Sequence, residues 1–314
     1  NSNRTVFINN VDVLEEINNR WATLVQVLST NEQQSTMIDQ LVSTNQQVMS
    51  TIGEQSANIS HLDETLSKFV CANGDGVIVS FYPSVSSDTP LWFGGVTGPD
   101  GTTVYGIPSS ANNIFAFNTK TNAIDTTSHT VKVGDNKWAG GVLADNDKIY
   151  GMPYSSTTML VFDPTTGAVD DTSFVVSSTQ YAWFGGALGD DGNVYGIPHQ
   201  AESVLVFNPA TNTSDTTSLI VPSDTVKWNG GVKAPNGNIY GIPLSFNAVL
   251  IITIFPTQSL NYTTLIVPTD PLKWRGGVLA KNGKIYGIPL YSTAVLIIDP
   301  VANTVDYTSI TVPG

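Results

Sequence analysis

Lys227-Trp228-Asn229-Gly230-Gly231-Val232, followed shortly by Asn238-Ile239-Tyr240-Gly241-Ile242-Pro243, is the stretch whose reading decides the fold. Both halves recur. Trp-x-Gly-Gly stands at Trp92, Trp138, Trp183, Trp228 and Trp274, and Tyr-Gly-(Ile/Met)-Pro at Tyr105, Tyr150, Tyr195, Tyr240 and Tyr286. The spacing holds at about 45 residues, the mark of an array in which one supersecondary unit is copied.

Each copy reads as four short strands. The first opens on Trp-x-Gly-Gly. A turn follows at Asp100-Gly101, Asn146-Asp147, Asp191-Gly192, Asn236-Gly237 and Asn282-Gly283, mostly the dipeptides that favour two-residue hairpins. The second strand carries Tyr-Gly-Ile-Pro. The third is apolar and ends at an Asp-Pro or Asn-Pro turn, as at Asp163-Pro164 and Asp299-Pro300; the fourth copy, Ile251 to Pro256, lacks that turn. The fourth strand is expected after a Thr-Ser pair, as in Thr217 to Val221 and Thr308 to Val312. Four antiparallel strands per copy make the blade of a β-propeller, so residues 92–314 are expected to form an all-β, five-bladed head. A six-bladed ring is the alternative. It would recruit residues 74–91 and the unmatched ends; residues 71–91 read otherwise as a connector and closing strand, with Val77 to Tyr82 left over as a strand candidate. The glycine pairs suit strands converging on a central axis, with each Trp filling the wedge between blades.

Residues 12–70 contain no Pro and one glycine, Gly53, whereas everything beyond is rich in both. Asp12 and Glu15 resemble a capping box, and Leu14, Ile17, Trp21, Leu24 and Leu28 follow a 3-4 spacing. A second run, Ile38 to Phe69, continues it out of phase, as a stammer near Asn31 to Gln34 would allow. The expectation is an α-helical coiled-coil stalk. Ile at positions 38, 52 and 59 favours three strands over two, and Asn45 and Gln55 would fix register. A dimer, or helices folded back as an intrachain bundle, are the alternatives. Residues 1–11 lie outside the heptads as an N-terminal tail, with neither the charge nor the apolar core of a secretory signal. Cys71, the single cysteine, reads as a buried thiol or an interchain disulfide where stalk meets head.

Charged residues make up 12% of the chain and the net charge is −13. Thirteen scattered Lys and Arg offer no phosphate-neutralising cluster, which argues against nucleic acid and anionic membranes. No apolar run is long enough to cross a bilayer. His61, His129 and His199 occupy unrelated positions, so neither a metal site nor a cofactor is expected. No nucleophile elbow, phosphate loop or dinucleotide fingerprint occurs, and Asp170-Asp171 and Asp190-Asp191 read as turn chemistry. On these grounds no catalytic residues, and no enzyme, are expected; the competing alternative is a glycan-active propeller hydrolase or lyase, which would need a His/Asp/Glu cluster in the central pore that the repeats do not supply.

Candidate ligand-binding residues come from the repeats. Aromatic faces beside amides and Asn or Asp side chains bind sugars, which nominates Trp92, Trp138, Trp183, Trp228 and Trp274 against their competing role as core. The residues just after each Ile/Met-Pro vary: Ser109, Tyr154, His199, Leu244 and Leu290, with Tyr291 beside the last. Variable side chains on a repeated scaffold are where recognition sits.

A helical stalk carrying a β-head resembles viral and phage fibres or spikes. The resemblance implies a homotrimer gathered through residues 12–70, a capsid partner at the N-terminus, and a head on the virion surface that binds a host receptor or glycan. Residues 92–312 are similar in period to tachylectin-type five-bladed lectins, which implies a multivalent lectin; a capsid spike without ligand is a further alternative. Presenting several heads on one stem would raise avidity. Sedimentation of the full chain beside residues 74–314 checks the stalk: the full chain should run as an oligomer and the fragment as a monomer, and two monomers would remove the stalk reading.

Overall fold

The computed structural model describes residues 7–8, 11–12, 17–21, 43, 47, 90–176, 180–223 and 226–312. The chain divides into two units, Asn1–Gly74 and Asp75–Gly314. In the first, Phe7–Ile8 pairs antiparallel with Val11–Asp12, and residues 17–21, 43 and 47 are helical. Asp12 therefore sits in a strand rather than at a helix cap. The rest of the expected stalk, Cys71 and the leftover strand candidate at 77–82 lie outside the described residues.

The second unit holds five four-stranded antiparallel sheets, each in sequence order, as a five-bladed propeller requires. The first strands, Trp92–Thr97, Trp138–Leu143, Trp183–Leu188, Trp228–Lys233 and Trp274–Leu279, are the ones that meet from the first blade through to the fifth, so they lie on the axial side. The outermost strands are short: Ile124–Asp125, Ala168–Asp170, Thr213–Asp215, Ser259–Asn261 and Thr304–Asp306.

The signature has a steric reason at every position. In each blade the register slips between the Trp and the second Gly: Trp183 faces Pro198, and pairing resumes at Gly186 with Gly196. The first Gly sits in that bulge with positive φ, as at Gly140 (72°) and Gly185 (68°). It is also where neighbouring blades touch, since a Cβ on Gly140 would stand 2.7 Å from the Gly185 Cα. The second Gly receives the preceding blade's Ile: a Cβ on Gly141 would lie 2.6 Å from Ile107 Cδ1, and one on Gly231 would lie 2.6 Å from Ile197 Cγ1. Trp-x-Gly-Gly of one blade and Tyr-Gly-Ile-Pro of the blade before it are thus two halves of one contact.

Each Trp closes that contact. Trp138, Trp183, Trp228 and Trp274 are at most 1% exposed and sit in the apolar layers between successive blades. Their indole Nε1 groups donate to the carbonyls of Thr158, Ser203, Ala248 and Ala294 at 2.7–2.8 Å, so no buried donor is stranded. The repeated Tyr is tied to the turn before it: Asn146, Asn236 and Asn282 donate to the hydroxyls of Tyr150, Tyr240 and Tyr286, while the Tyr195 hydroxyl donates to Asp191.

The fifth blade departs from this pattern. Ile288 is 52% exposed, where its counterparts Ile107, Met152, Ile197 and Ile242 are at most 1% exposed. The six-bladed alternative turns on residues 74–91, most of which lie outside the described set.

Two local expectations are corrected. The fourth strand precedes the Thr-Ser pair, because Asp125, Asp170, Asp215 and Asp306 end the strand by accepting the amides two and three residues on. The apolar residues after that turn make only single bridges, as Ile220 does with Ser203. The first turn is also longer than two residues. The Gly101 amide donates to the Gly98 carbonyl, and positive φ falls on Gly101 alone, as a four-residue turn with a left-handed glycine requires. The fourth copy differs as expected: its third strand, Leu250–Thr253, runs into a cis Phe255-Pro256 bond instead of an Asp-Pro turn.

Gly140→Ala and Gly101→Ala separate the two uses of positive φ. Both incur the left-handed strain of about 1 kcal/mol, but only Gly140→Ala drives a methyl into the next blade's backbone. Urea unfolding should show Gly140→Ala destabilised by about 2 kcal/mol or more beyond Gly101→Ala; equal losses would contradict the close approach.

Candidate functional site at the axial mouth

The residue between Trp and the glycine pair varies from copy to copy, buried in two blades and half-buried in three. It reads Phe93, Ala139, Phe184, Asn229 and Arg275 around the ring. The rings of Phe93 and Phe184, from the first and third blades, come within 5.4 Å of each other between centroids. The Arg275 guanidinium, from the fifth, lies 5.2 Å from the Phe93 ring and 5.4 Å from the Phe184 ring. Side chains of three blades therefore converge at the end of the axis where the first strands begin.

Two of the variable residues after Ile/Met-Pro join them. Tyr154 packs against Phe184 (5.4 Å), Phe93 (6.3 Å), Tyr181 (5.0 Å) and His199 (5.6 Å). His199 is buried beside Phe184. Its backbone is held on both sides, the amide donating to the Ala182 carbonyl and the carbonyl accepting from the Lys227 amide. Its Nδ1 stands 3.1 Å from the Trp228 carbonyl oxygen. A carbonyl only accepts, so Nδ1 carries the proton and the neutral ring presents a bare Nε2. Burial is the main cause that pulls this imidazole down to about 4, with Lys227 and Arg275 adding to it, so the ring is neutral near pH 7. Burial is also what raises the Tyr154 phenol, against the opposing pull of Arg275.

Among the described residues, His199 Nε2, the Tyr154 hydroxyl and the Arg275 guanidinium have no hydrogen-bond or ion-pair partner. No carboxylate among those residues faces them, although the chain carries 26 Asp and Glu. The neighbouring loops are tied by buried ammonium groups: that of Lys137 donates to the carbonyls of Ser109, Ala111 and Gly134, and that of Lys273 to the carbonyls of Phe246 and Asp270. Burial brings both lysines down to about 8, which leaves them charged at neutral pH.

The remaining candidates fall elsewhere. Trp138, Trp183, Trp228 and Trp274 are sealed between blades and have no face left for a ligand; Trp92 is partly buried against Phe115. Ser109 and Leu244 are buried. Leu290 and Tyr291 are exposed on the fifth blade, 40% and 74%. Asp170 caps a turn, Asp190 pairs with Lys233 at 2.7 Å, and Asp191 holds Tyr195, so the acidic pairs are structural. Phe93, Phe184 and Arg275 were not nominated from the sequence. The signal was present, however, since x varies inside an otherwise fixed motif just as the residue after Pro does.

No protein-family model matches the chain, and no curated protein matches it by sequence. Solved structures do. Virginiamycin B lyase from Staphylococcus aureus superposes with a TM-score of 0.59 over 73% of this chain and 72% of that one, at 12% identity. A catalytically inactive histidine-to-alanine variant of the same lyase with quinupristin gives 0.58 at 12% identity, covering 71% of each chain. A streptogramin B lyase gives 0.56 at 15% identity, over 70% of this chain and 68% of that one. The fibre and lectin resemblances have no counterpart among these three. They also overturn the expectation of no enzyme as a reading of the fold, since the neighbours that share it include lyases. At this identity the likeness establishes the fold.

The depressed His199 pKa has a consequence for stability. The unfolded chain binds a proton at His199 near pH 6.5 and the folded chain only near pH 4. Stability from this group is therefore complete above about pH 6.5 and lost as pH falls toward 4, by an amount on the order of 3 kcal/mol. Denaturation measured from pH 7 to 4 should show that decline in the native chain and a flatter profile in His199→Asn; identical slopes would mean the imidazole is not neutral and buried.

Proposed function

We propose that the head is an enzyme of the lyase class, in which a substrate entering the axial mouth loses a proton to His199 and undergoes β-elimination. One observation carries the reading: a neutral imidazole with its Nδ1 proton held by the Trp228 carbonyl and its Nε2 bare, within 5.6 Å centroid-to-centroid of Tyr154. A fixed tautomer with a free basic nitrogen is what general-base chemistry needs. Phe93 and Phe184 form walls for an apolar or sugar-ring face, and Tyr154 supplies a hydroxyl to protonate a leaving oxygen. The two streptogramin-active neighbours, and the loss of activity in the histidine variant of the staphylococcal lyase, support the class of reaction.

A second reading is attachment: a head that binds a host receptor or glycan, displayed on a virion through an oligomeric stalk. The exposed Leu290 and Tyr291 favour it, as an apolar surface on the fifth blade that the mouth does not use. The readings differ in whether the ligand is turned over.

The test is a screen for β-elimination with quinupristin and acidic polysaccharides as substrates, reading unsaturated products by mass spectrometry. His199→Asn should lower kcat by about a hundredfold or more and leave the fold intact at pH 7. Turnover unaffected by that change, or no turnover of any substrate, would reject the lyase reading; glycan binding without turnover would favour attachment.

A further inference from the structure

We infer that Arg275 makes the axial mouth specific for carboxylate-bearing sugars, and that the substrate is a chain containing uronate residues. The inference rests on the mouth being the substrate site, and it deepens that reading by naming the ligand.

The argument starts from where the positive charge stands. With a net charge of −13, the chain has acidic partners in abundance for a guanidinium, and Lys233 and Lys284 are paired with Asp190 and Asp299. Arg275 has no such partner among the described residues. It is instead placed against Phe93 and Phe184, at 5.2 and 5.4 Å from the ring centroids. A guanidinium held against aromatic rings keeps its N–H groups, a planar fork that matches a carboxylate with two parallel hydrogen bonds. Nothing in the blade packing requires Arg there. The same position is Phe93, Ala139, Phe184 and Asn229 in the other copies.

The neighbours select within the anions. Phe93, Phe184 and Tyr154 set aromatic side chains beside the guanidinium, a surround suited to the apolar face of a sugar ring. The guanidinium fork matches one carboxylate through two parallel hydrogen bonds, and Lys227, whose charge also reaches His199, adds to the preference for an anion.

The elimination balances with these groups alone. A carboxylate held by Arg275 acidifies the hydrogen on the carbon that bears it. His199 Nε2 takes that proton, a carbon–carbon double bond forms toward the neighbouring carbon, and the bond from that carbon to the glycosidic oxygen breaks. The Tyr154 hydroxyl protonates the departing oxygen, and the imidazolium gives its proton back through solvent to the phenolate. The products are an unsaturated uronate and a shortened chain, with no oxidant or reductant consumed.

The experiment uses the full chain with oligogalacturonate and oligoglucuronate as probes, and neutral cello-oligosaccharide of equal length as the control. Calorimetry should show the acidic probes binding at least tenfold more tightly than the neutral one. Arg275→Met should remove that preference while Arg275→Lys restores part of it. His199→Asn should keep the binding and lose the unsaturated product. Acidic binding by the native chain without any product would reject the proton-transfer reading but leave the carboxylate assignment standing. Equal binding of neutral and acidic probes, no binding of either, or an acidic preference that survives Arg275→Met would overturn the inference. A thermal melt of each variant separates a structural role: if Arg275 only plugs the axis, Arg275→Met lowers Tm and acidic probes leave the native Tm unmoved.

Discussion

The contact between adjacent first strands is what the rest of the head depends on. Neighbouring blades approach until a methyl on Gly140 would sit inside van der Waals range of the Gly185 backbone. That approach needs a bulge, a left-handed glycine in it, and a second glycine to admit the preceding blade's Ile. The indole then caps the same seam and satisfies its own N–H on a carbonyl of its own blade. Backbone approach, side-chain wedge and hydrogen bond are thus set by four consecutive residues and a partner motif, and they repeat because the seam repeats.

The seam also accounts for where function gathers. Trp, both glycines and the Ile-Pro are each fixed by a contact, so variation is confined to the residue after Trp and the residue after Pro. Both stand at the same end of the axis. Copies of one scaffold can therefore place Phe, Phe, Arg, Tyr and His together without disturbing a single blade contact, and each copy contributes something different. The carbonyl of Trp228, a residue of the seam, orients the His199 ring. The scaffold thereby sets the orientation of a side chain at the end of the axis.

The blades are legible in the sequence because their constraint is local and periodic: a glycine pair recurring at one spacing marks a backbone approach that recurs at one spacing. Tyr154 and His199 emerge by the same logic, as variable positions in a fixed frame. The Trp residues were nominated as ligand contacts because an aromatic side chain looks the same in sequence whether its face is open or sealed; only the fit of Trp183 between two blades decides that. Arg275, Phe93 and Phe184 stayed hidden because their meeting joins blades one, three and five, a distance in sequence that periodicity does not measure. The fourth strand was misplaced by a few residues because the Asp before Thr-Thr-Ser ends a strand by capping amides, and apolar residues after it, such as Ile220, look like a strand and are largely exposed.

Charge is distributed along the same radial line. The acidic residues serve the rim: Asp125, Asp215 and Asp306, each at the end of an outermost strand, accept a Ser hydroxyl and two amides, which hold their carboxyls below the usual range and ionised. The axis receives Arg275 and no facing carboxylate among the described residues. An anion approaching the head meets ionised carboxylates at the rim and, toward the axis, the Arg275 guanidinium with the buried Lys137 and Lys273 ammonium groups behind it. At physiological salt, repulsion from charges more than about 8 Å away is largely screened, whereas a hydrogen-bonded guanidinium–carboxylate pair is not. The rim therefore opposes loose, nonspecific binding of anions far more than it opposes the one docked carboxylate. A strongly acidic protein can in this way be selective for an acidic ligand: the net charge lowers the background, and the geometry at the axis sets the affinity.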